Sequence, residues 1–167
     1  MDKKVLQEFA TRVTQANPSE LVVVIYEAAI ASMKEGKKAL CDQKIEEARK
    51  ELERARGMLD ELMRSLDMQY SISHYLRQLY IFAYRELCQS VALRQPERVD
   101  HAMDILEQLL PSFKEVAKQD DREAVMQNVQ SIYAGLTYGP GSLNETTAMG
   151  LSLIHISEPT RLLSISY

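Results

Sequence analysis

The sequence predicts an all-α protein: an antiparallel four-helix bundle with a flexible N-terminal arm and an extended C-terminal tail. Three observations carry this. Apolar residues recur at alternating spacings of three and four through most of the chain, the pattern of a helix that buries one face. Glycine and proline are scarce before residue 135, so little interrupts that pattern. The breaks between periodic stretches are short, which joins neighbouring helices antiparallel. With 167 residues one domain is expected, large enough to bury a core. The expected divisions are an arm over 1–16, a bundle over 17–121, a weakly structured tail over 122–150 and a non-native extension over 151–167.

The first helix begins at "NPSE". Asn17 suits the N-cap, Pro18 the first turn, and Glu20 the capping-box position. It should run to about Leu40. Its opening is unusual, because Leu21–Tyr26 are six consecutive apolar residues that point all round the axis. A surface helix needs only one apolar stripe, so something besides the core must cover this one. Asp42 is expected to cap the second helix, whose seam is Ile45, Ala48, Leu52, Ala55, Leu59, Leu62 and Leu66. Its charged residues between Lys44 and Arg54 read as a solvated face. The third helix spans about Ser71–Leu93. One apolar set, Ile72, Leu76, Leu79, Ala83 and Leu87, is assigned to the core. A second set, Tyr75, Tyr80, Phe82, Tyr84 and Val91, lies off that seam. Pro96 starts the fourth helix, with seam residues Val99, Ala102, Leu106, Leu109, Phe113 and Val116. Pro111 inside it predicts a kink near Leu109. A short further helix fits "REAVMQNVQSIY", and the glycine- and proline-containing stretch after it reads as extended.

Composition narrows the function. The formal net charge is −4 and no face reads as a basic stripe, which argues against nucleic acid. No apolar run approaches membrane-spanning length, and the first residues lack a signal-peptide core, so the cytosol is expected. Cys41 and Cys88 form no paired motif and read as reduced thiols. His74 and His101 lie off the seams and read as surface histidines. The di-iron bundle signature, Glu-x-x-His, is missing, and so are phosphate loops and nucleotide fingerprints. No active site, cofactor or metal site is expected, and the chain is read as a non-enzyme. What remains is surplus apolar surface rich in tyrosine and methionine, including Met58 and Met63 beside the second-helix seam. Such surfaces bind partners adaptably.

Several stretches carry a family resemblance. "FATRVTQANPSELVVVIYEAAI" resembles the start of the flagellin-specific secretion chaperones, the FliS family, with Phe9, Val13, Ala16, Pro18, Glu20, Leu21, Tyr26 and Glu27 at the family's positions. "ARGMLDELMRSLD" resembles its second-helix signature. "LRQLYIFAYREL" resembles the third, with Leu79, Tyr80 and Leu87 at typical places. The resemblance covers about residues 5–120. Asn17 replaces the usual serine or threonine and can still cap the helix, and Ala117 stands where the family often carries tryptophan. The resemblance implies a cytosolic export chaperone. It would bind the disordered C-terminal segment of flagellin, prevent premature polymerisation and keep the client competent for secretion. The flagellar export gate is a second candidate partner, and a monomer or weak homodimer is expected. Combined with the apolar inventory, it nominates Phe9, Val13, Pro18, Leu21, Val22, Ile25, Tyr26, Met58, Leu62, Met63, Leu66, Tyr75, Leu79, Tyr80 and Phe82 as partner-binding. The competing reading is a structural or oligomerising bundle with no flagellin client. The end of the chain differs in kind: "SLIHISEPTR" resembles translated read-through of a sequencing adaptor, so about Leu151–Tyr167 is set aside as foreign.

Overall fold

A computed structural model describes residues 3–124. Five helices follow one another: α1 (Lys3–Gln15), α2 (Pro18–Cys41), α3 (Ile45–Ser65), α4 (Ser71–Leu93) and α5 (Glu97–Lys118). Helices α2 to α5 form the four-helix bundle. Each packs on its neighbour in sequence, and α5 closes the ring against α2. The stretch "REAVMQNVQSIY" from residue 125 onward, the extended tail and the adaptor-like terminus lie outside the described residues.

The start of α2 follows its sequence signals. The Asn17 side chain accepts a hydrogen bond from the Glu20 N–H at 2.8 Å, and the Glu20 carboxylate accepts from the Asn17 N–H at 3.0 Å. This reciprocal box satisfies two backbone donors that a helix start leaves open. Asn17 does more: its amide donates to the backbone carbonyl of Asp120 at 3.0 Å, tying the start of α2 to the chain leaving α5. The Asp120 side chain is in turn gripped by Arg122, whose Nε and Nη2 donate to the two carboxylate oxygens at 2.7 Å each.

The turn after α2 differs from expectation. Asp42 ends α2 and does not cap the next helix. Reversing the chain takes three residues here, with Gln43 at a φ of 60° and the Lys44 N–H donating to the Ala39 carbonyl at 2.9 Å. Helix α3 then starts at Ile45 with no side-chain cap. From there its seam is as expected: Ala48, Leu52, Ala55, Leu59 and Leu62 are buried. The α2–α3 contact is close because Gly36 is buried against Leu52. A Cβ built on Gly36 would lie 2.5 Å from the Leu52 Cγ and Cδ2 atoms.

Two further expectations are corrected. In α4 the core face is Ser73, Leu76, Tyr80, Ala83, Leu87 and Ser90, not the seam through Ile72 and Leu79, both of which are exposed. Two apolar stripes run along this helix, and the inner one is set by the Tyr80 hydroxyl, which finds a buried partner in Tyr26. The arm, expected to be flexible, is helical over Lys3–Gln15, as α1. It does not fold alone: Val13 packs against the edge of the core, and Arg12 pairs with Glu27 of α2 at 2.6 Å. Helix α5 runs through Pro111 as one element, with Pro111 on the exposed side, while Val99, Ala102, Leu106 and Phe113 fill the core. The Leu109 side chain is half-buried.

Two outcomes are expected from this packing. Gly36→Ala forces a methyl into the Leu52 side chain and should cost about 1–3 kcal/mol in urea melts; an unchanged midpoint would show that α2 and α3 can separate freely. The hydrogen bonds from Arg122 hold the Asp120 carboxyl below the usual carboxylate range, although burial opposes them. A depressed carboxylate stabilises the fold above its unfolded value, about 3.9, and that contribution is lost as pH falls below it. Asp120→Asn should therefore cost about 1–2 kcal/mol near neutrality and flatten the acid side of the stability profile. A parallel shift at every pH would assign the residue a different role.

Candidate functional site

The nominated partner residues divide into three groups. Leu21, Val22, Tyr26, Leu62 and Tyr80 are core side chains, none more than 6% exposed. Tyr26 and Tyr80 meet edge-on with ring centroids 6.2 Å apart, and Phe113 lies 4.8 Å from Tyr26 on its other side. Burial pushes both tyrosine hydroxyls far above the ordinary phenol range, so they stay neutral and bonded to each other. These five hold the bundle together and offer no surface in this state. A second group, Val13, Ile25, Met58, Met63 and Leu66, is half-buried against the core. Pro18 and Phe9 are also half-buried, and the Arg12 guanidinium lies 5.9 Å from the centre of the Phe9 ring.

The third group is exposed. Tyr75 is 66% exposed, Phe82 48% and Leu79 38%, and Ile72 joins them at 37%. These four residues, spaced three, four and three apart, fall within about 80° of arc on α4. They form a continuous apolar stripe at the spacing of a helix-packing seam. The stripe lies on the side of α4 that faces α5. Glu86, one turn beyond Phe82 on the same line, is buried there and accepts from Arg98 at 2.9 Å and pairs with His101 at 2.8 Å. Sequence reasoning placed Ile72 in the core and so missed the first member. Its signal was available: two complete apolar stripes on one helix cannot both face one core. Met68, at 38%, lies just before α4 and adds to the exposed apolar surface.

Helix α1 explains the six apolar residues that open α2. Five of them are buried, and only Ile25 is half-exposed. Val24 and Ala28, one turn apart on the outer side of α2, are 3% and 6% exposed yet lie outside the central core cluster. Helix α1 packs on α2 and covers that outer side. Arg12 of α1 and Lys114 of α5 both reach Glu27, at 2.6 and 2.7 Å. Burial raises the Glu27 carboxyl, but the hydrogen bonds from Lys114 and Arg12 more than reverse this and hold it below its ordinary value. Beside these ion pairs, α1, α2 and α5 leave an open cleft of 510 Å³ lined by Arg12, Ala16, Val23, Val24, Glu27 and Ala117, among others. The small side chain at 117 contributes to that space.

Other chemistry is sparse. Among the described residues no group of three or more histidine, cysteine, aspartate or glutamate side chains could hold a metal ion. No described helix is long and apolar enough to cross a membrane. The Cys88 thiol accepts a hydrogen bond from Arg56 at 3.2 Å, and Cys41 is exposed at the end of α2. The arrangement can therefore bind an apolar segment along α4, and can expose a second apolar face on α2 if α1 leaves.

No curated protein matches the chain in sequence. The family model described as "Flagellar protein FliS" matches residues 1–120, a span that takes in all five helices. With the greater part of its length matched, from the arm through the last helix of the bundle, the chain belongs to the FliS family.

Proposed function

We propose that this protein is a flagellar export chaperone that binds the disordered C-terminal segment of flagellin in the bacterial cytosol. Binding there would keep the client monomeric and competent for secretion. The observation that supports this reading best is the exposed α4 stripe, carried by a FliS-family bundle. A disordered segment that orders on binding loses several kcal/mol of conformational freedom, so it needs a long apolar surface to offset that cost. Ile72, Tyr75, Leu79 and Phe82 supply four consecutive anchor positions for a helix laid alongside α4. The aromatic members are the type that dominates binding energy at protein interfaces. The flagellar export gate is the second partner in this proposal.

Helix α1 is the gate of a second surface. It shields Val24 and Ala28 through a limited interface, anchored by Val13 and the Arg12–Glu27 pair. The pair is part-exposed and contributes about 0–1 kcal/mol. A client that takes the outer face of α2 displaces α1, and apparent affinity then falls by the fraction of time α1 stays docked. The arm covers α2 and leaves the α4 stripe bare, so it competes for one of the two surfaces only.

Calorimetry with a flagellin C-terminal peptide tests the main reading. Phe82→Asp should weaken binding about tenfold or more, the loss expected for an aromatic anchor, with an unchanged thermal melt. Tight binding that ignores Phe82 would move the client elsewhere, and no binding at all would favour the structural bundle without a flagellin client. Deleting residues 1–12 should speed association in stopped-flow measurements more than it changes dissociation. An equal or slower association rate would make α1 a docking element and not a gate.

A further inference from the structure

The spacing of the α4 stripe is a palindrome. Ile72, Tyr75, Leu79 and Phe82 follow one another at three, four and three, so the pattern reads the same in either direction along the helix. A surface that meets its own copy across a two-fold axis needs this property, since residue i must contact j while j contacts i. Laid antiparallel on α4 of a second copy, the stripe matches itself at every position. Ile72 lies opposite Phe82 of the second copy, and Tyr75 opposite its Leu79. Each layer then joins one ring to one aliphatic side chain, and no two rings compete for the same space. The groove beside the stripe is apolar as well. Ile105 of α5 lies two turns beyond Arg98, on the line that reaches Glu86, and with Leu109 is half-buried there.

We infer that the α4 stripe is a self-association surface, on which a second copy of this chain packs antiparallel about a two-fold axis level with Arg77. Charge favours this occupant in this orientation. Ser71, Gln78 and Arg85 flank the stripe on the side away from α5, and all three are exposed. In the antiparallel dimer Gln78 meets Gln78 near the axis, and Arg85 lies opposite Ser71 of the second copy. The two Arg85 positions are offset by about 24 Å along α4, well beyond the screening length in salt. A parallel arrangement would bring them face to face. Arg77 points about 140° away from the stripe and stays clear of the axis. Glu86, the one acidic residue of α4, is buried and already engaged by Arg98 and His101. Area sets the strength. The two rings, about 200 Å² each when free, leave about 230 Å² exposed at 66% and 48%. Ile72 and Leu79 raise this to on the order of 350 Å² per copy. A little over half of an interface is apolar, so two copies would bury about 1,200 Å² in all, the lower end of what a specific interface needs. The dimer is therefore weak, dissociating in the micromolar range. Where the client also takes the stripe, as proposed above, dimer and client exclude each other; self-association itself stands without that reading.

Sedimentation equilibrium of the full chain, with no client present, tests the inference. Between about 1 and about 300 µM the average mass should rise from one copy toward two and no further. Leu79→Lys and Tyr75→Glu change exposed positions, so each variant should keep the melting temperature and helix content of the parent chain. Each should weaken the dimer about tenfold or more, because a charge is then buried against an apolar side chain. Mixed in equal amounts, the two variants should regain the dimer, since the introduced ammonium of one copy faces the introduced carboxylate of the other. That rescue depends on the antiparallel register, and a merely disturbed surface would not show it. A parent chain that stays monomeric through the whole range would overturn the inference. So would a dimer that neither variant weakens, a mixture that stays monomeric, or assembly beyond two copies.

Discussion

Everything in this fold depends on the opening of α2, Leu21–Ala28, in which no residue is exposed. The inner face of this helix meets Tyr80 and Phe113 through Tyr26, and its flank meets α3 at a contact tight enough to require glycine at position 36. Its outer face, through Val24 and Ala28, is covered by α1. Two helical turns with no solvated face cannot stand at the edge of a four-helix ring unaided. Helix α1, added to the four of the bundle, is thus a requirement set by residues 21–28, and any partner that takes its place must offer comparable apolar cover.

The two apolar surfaces of the molecule are unlike in origin. That on α2 is created by a run of residues and hidden by the arm. That on α4 arises because the helix carries two stripes and the bundle uses one. The buried tyrosine pair decides which. A phenol taken out of water needs a hydrogen-bond partner, and Tyr26 and Tyr80 provide one for each other. With Tyr80 turned inward, Leu79 and Phe82 on the neighbouring line face outward. The residues that hold the core and those that present the outer stripe are therefore coupled by the rotation of a single helix.

Much of the architecture was legible in the sequence. The capping box at Asn17, the α3 seam from Ala48 to Leu62 and the α5 core residues Val99, Ala102, Leu106 and Phe113 were visible as caps and spacing. The failures came where two physical signals competed. Leu79 outranks Tyr80 in apolarity, so the periodicity placed the wrong one inside; the hydroxyl partner that reverses the choice lies 54 positions away, on α2. Asp42 looks like an N-cap, but the reversal at Gln43 uses it to finish the preceding helix. The arm is too polar to predict as a stable helix by itself, and its partner surface becomes apparent only once α2 is seen to be covered. For the same reason the candidate site was half legible. Tyr75, Leu79 and Phe82 were nominated, yet so were five side chains that the core consumes.

The Asn17–Asp120 bond also fixes the molecule's polarity as a physical object. It places the junction of α1 and α2 and the chain leaving α5 at one pole. The α2–α3 and α4–α5 reversals lie at the other pole, and the first of them carries the exposed thiol of Cys41. The second thiol, Cys88, is half-buried and engaged by Arg56. A maleimide attached under mild conditions will therefore favour Cys41, at the pole opposite the α1–α2 junction and the end of α5. Immobilised on a sensor surface through that atom, every copy would stand the same way up, with the Asn17–Asp120 junction toward the solution.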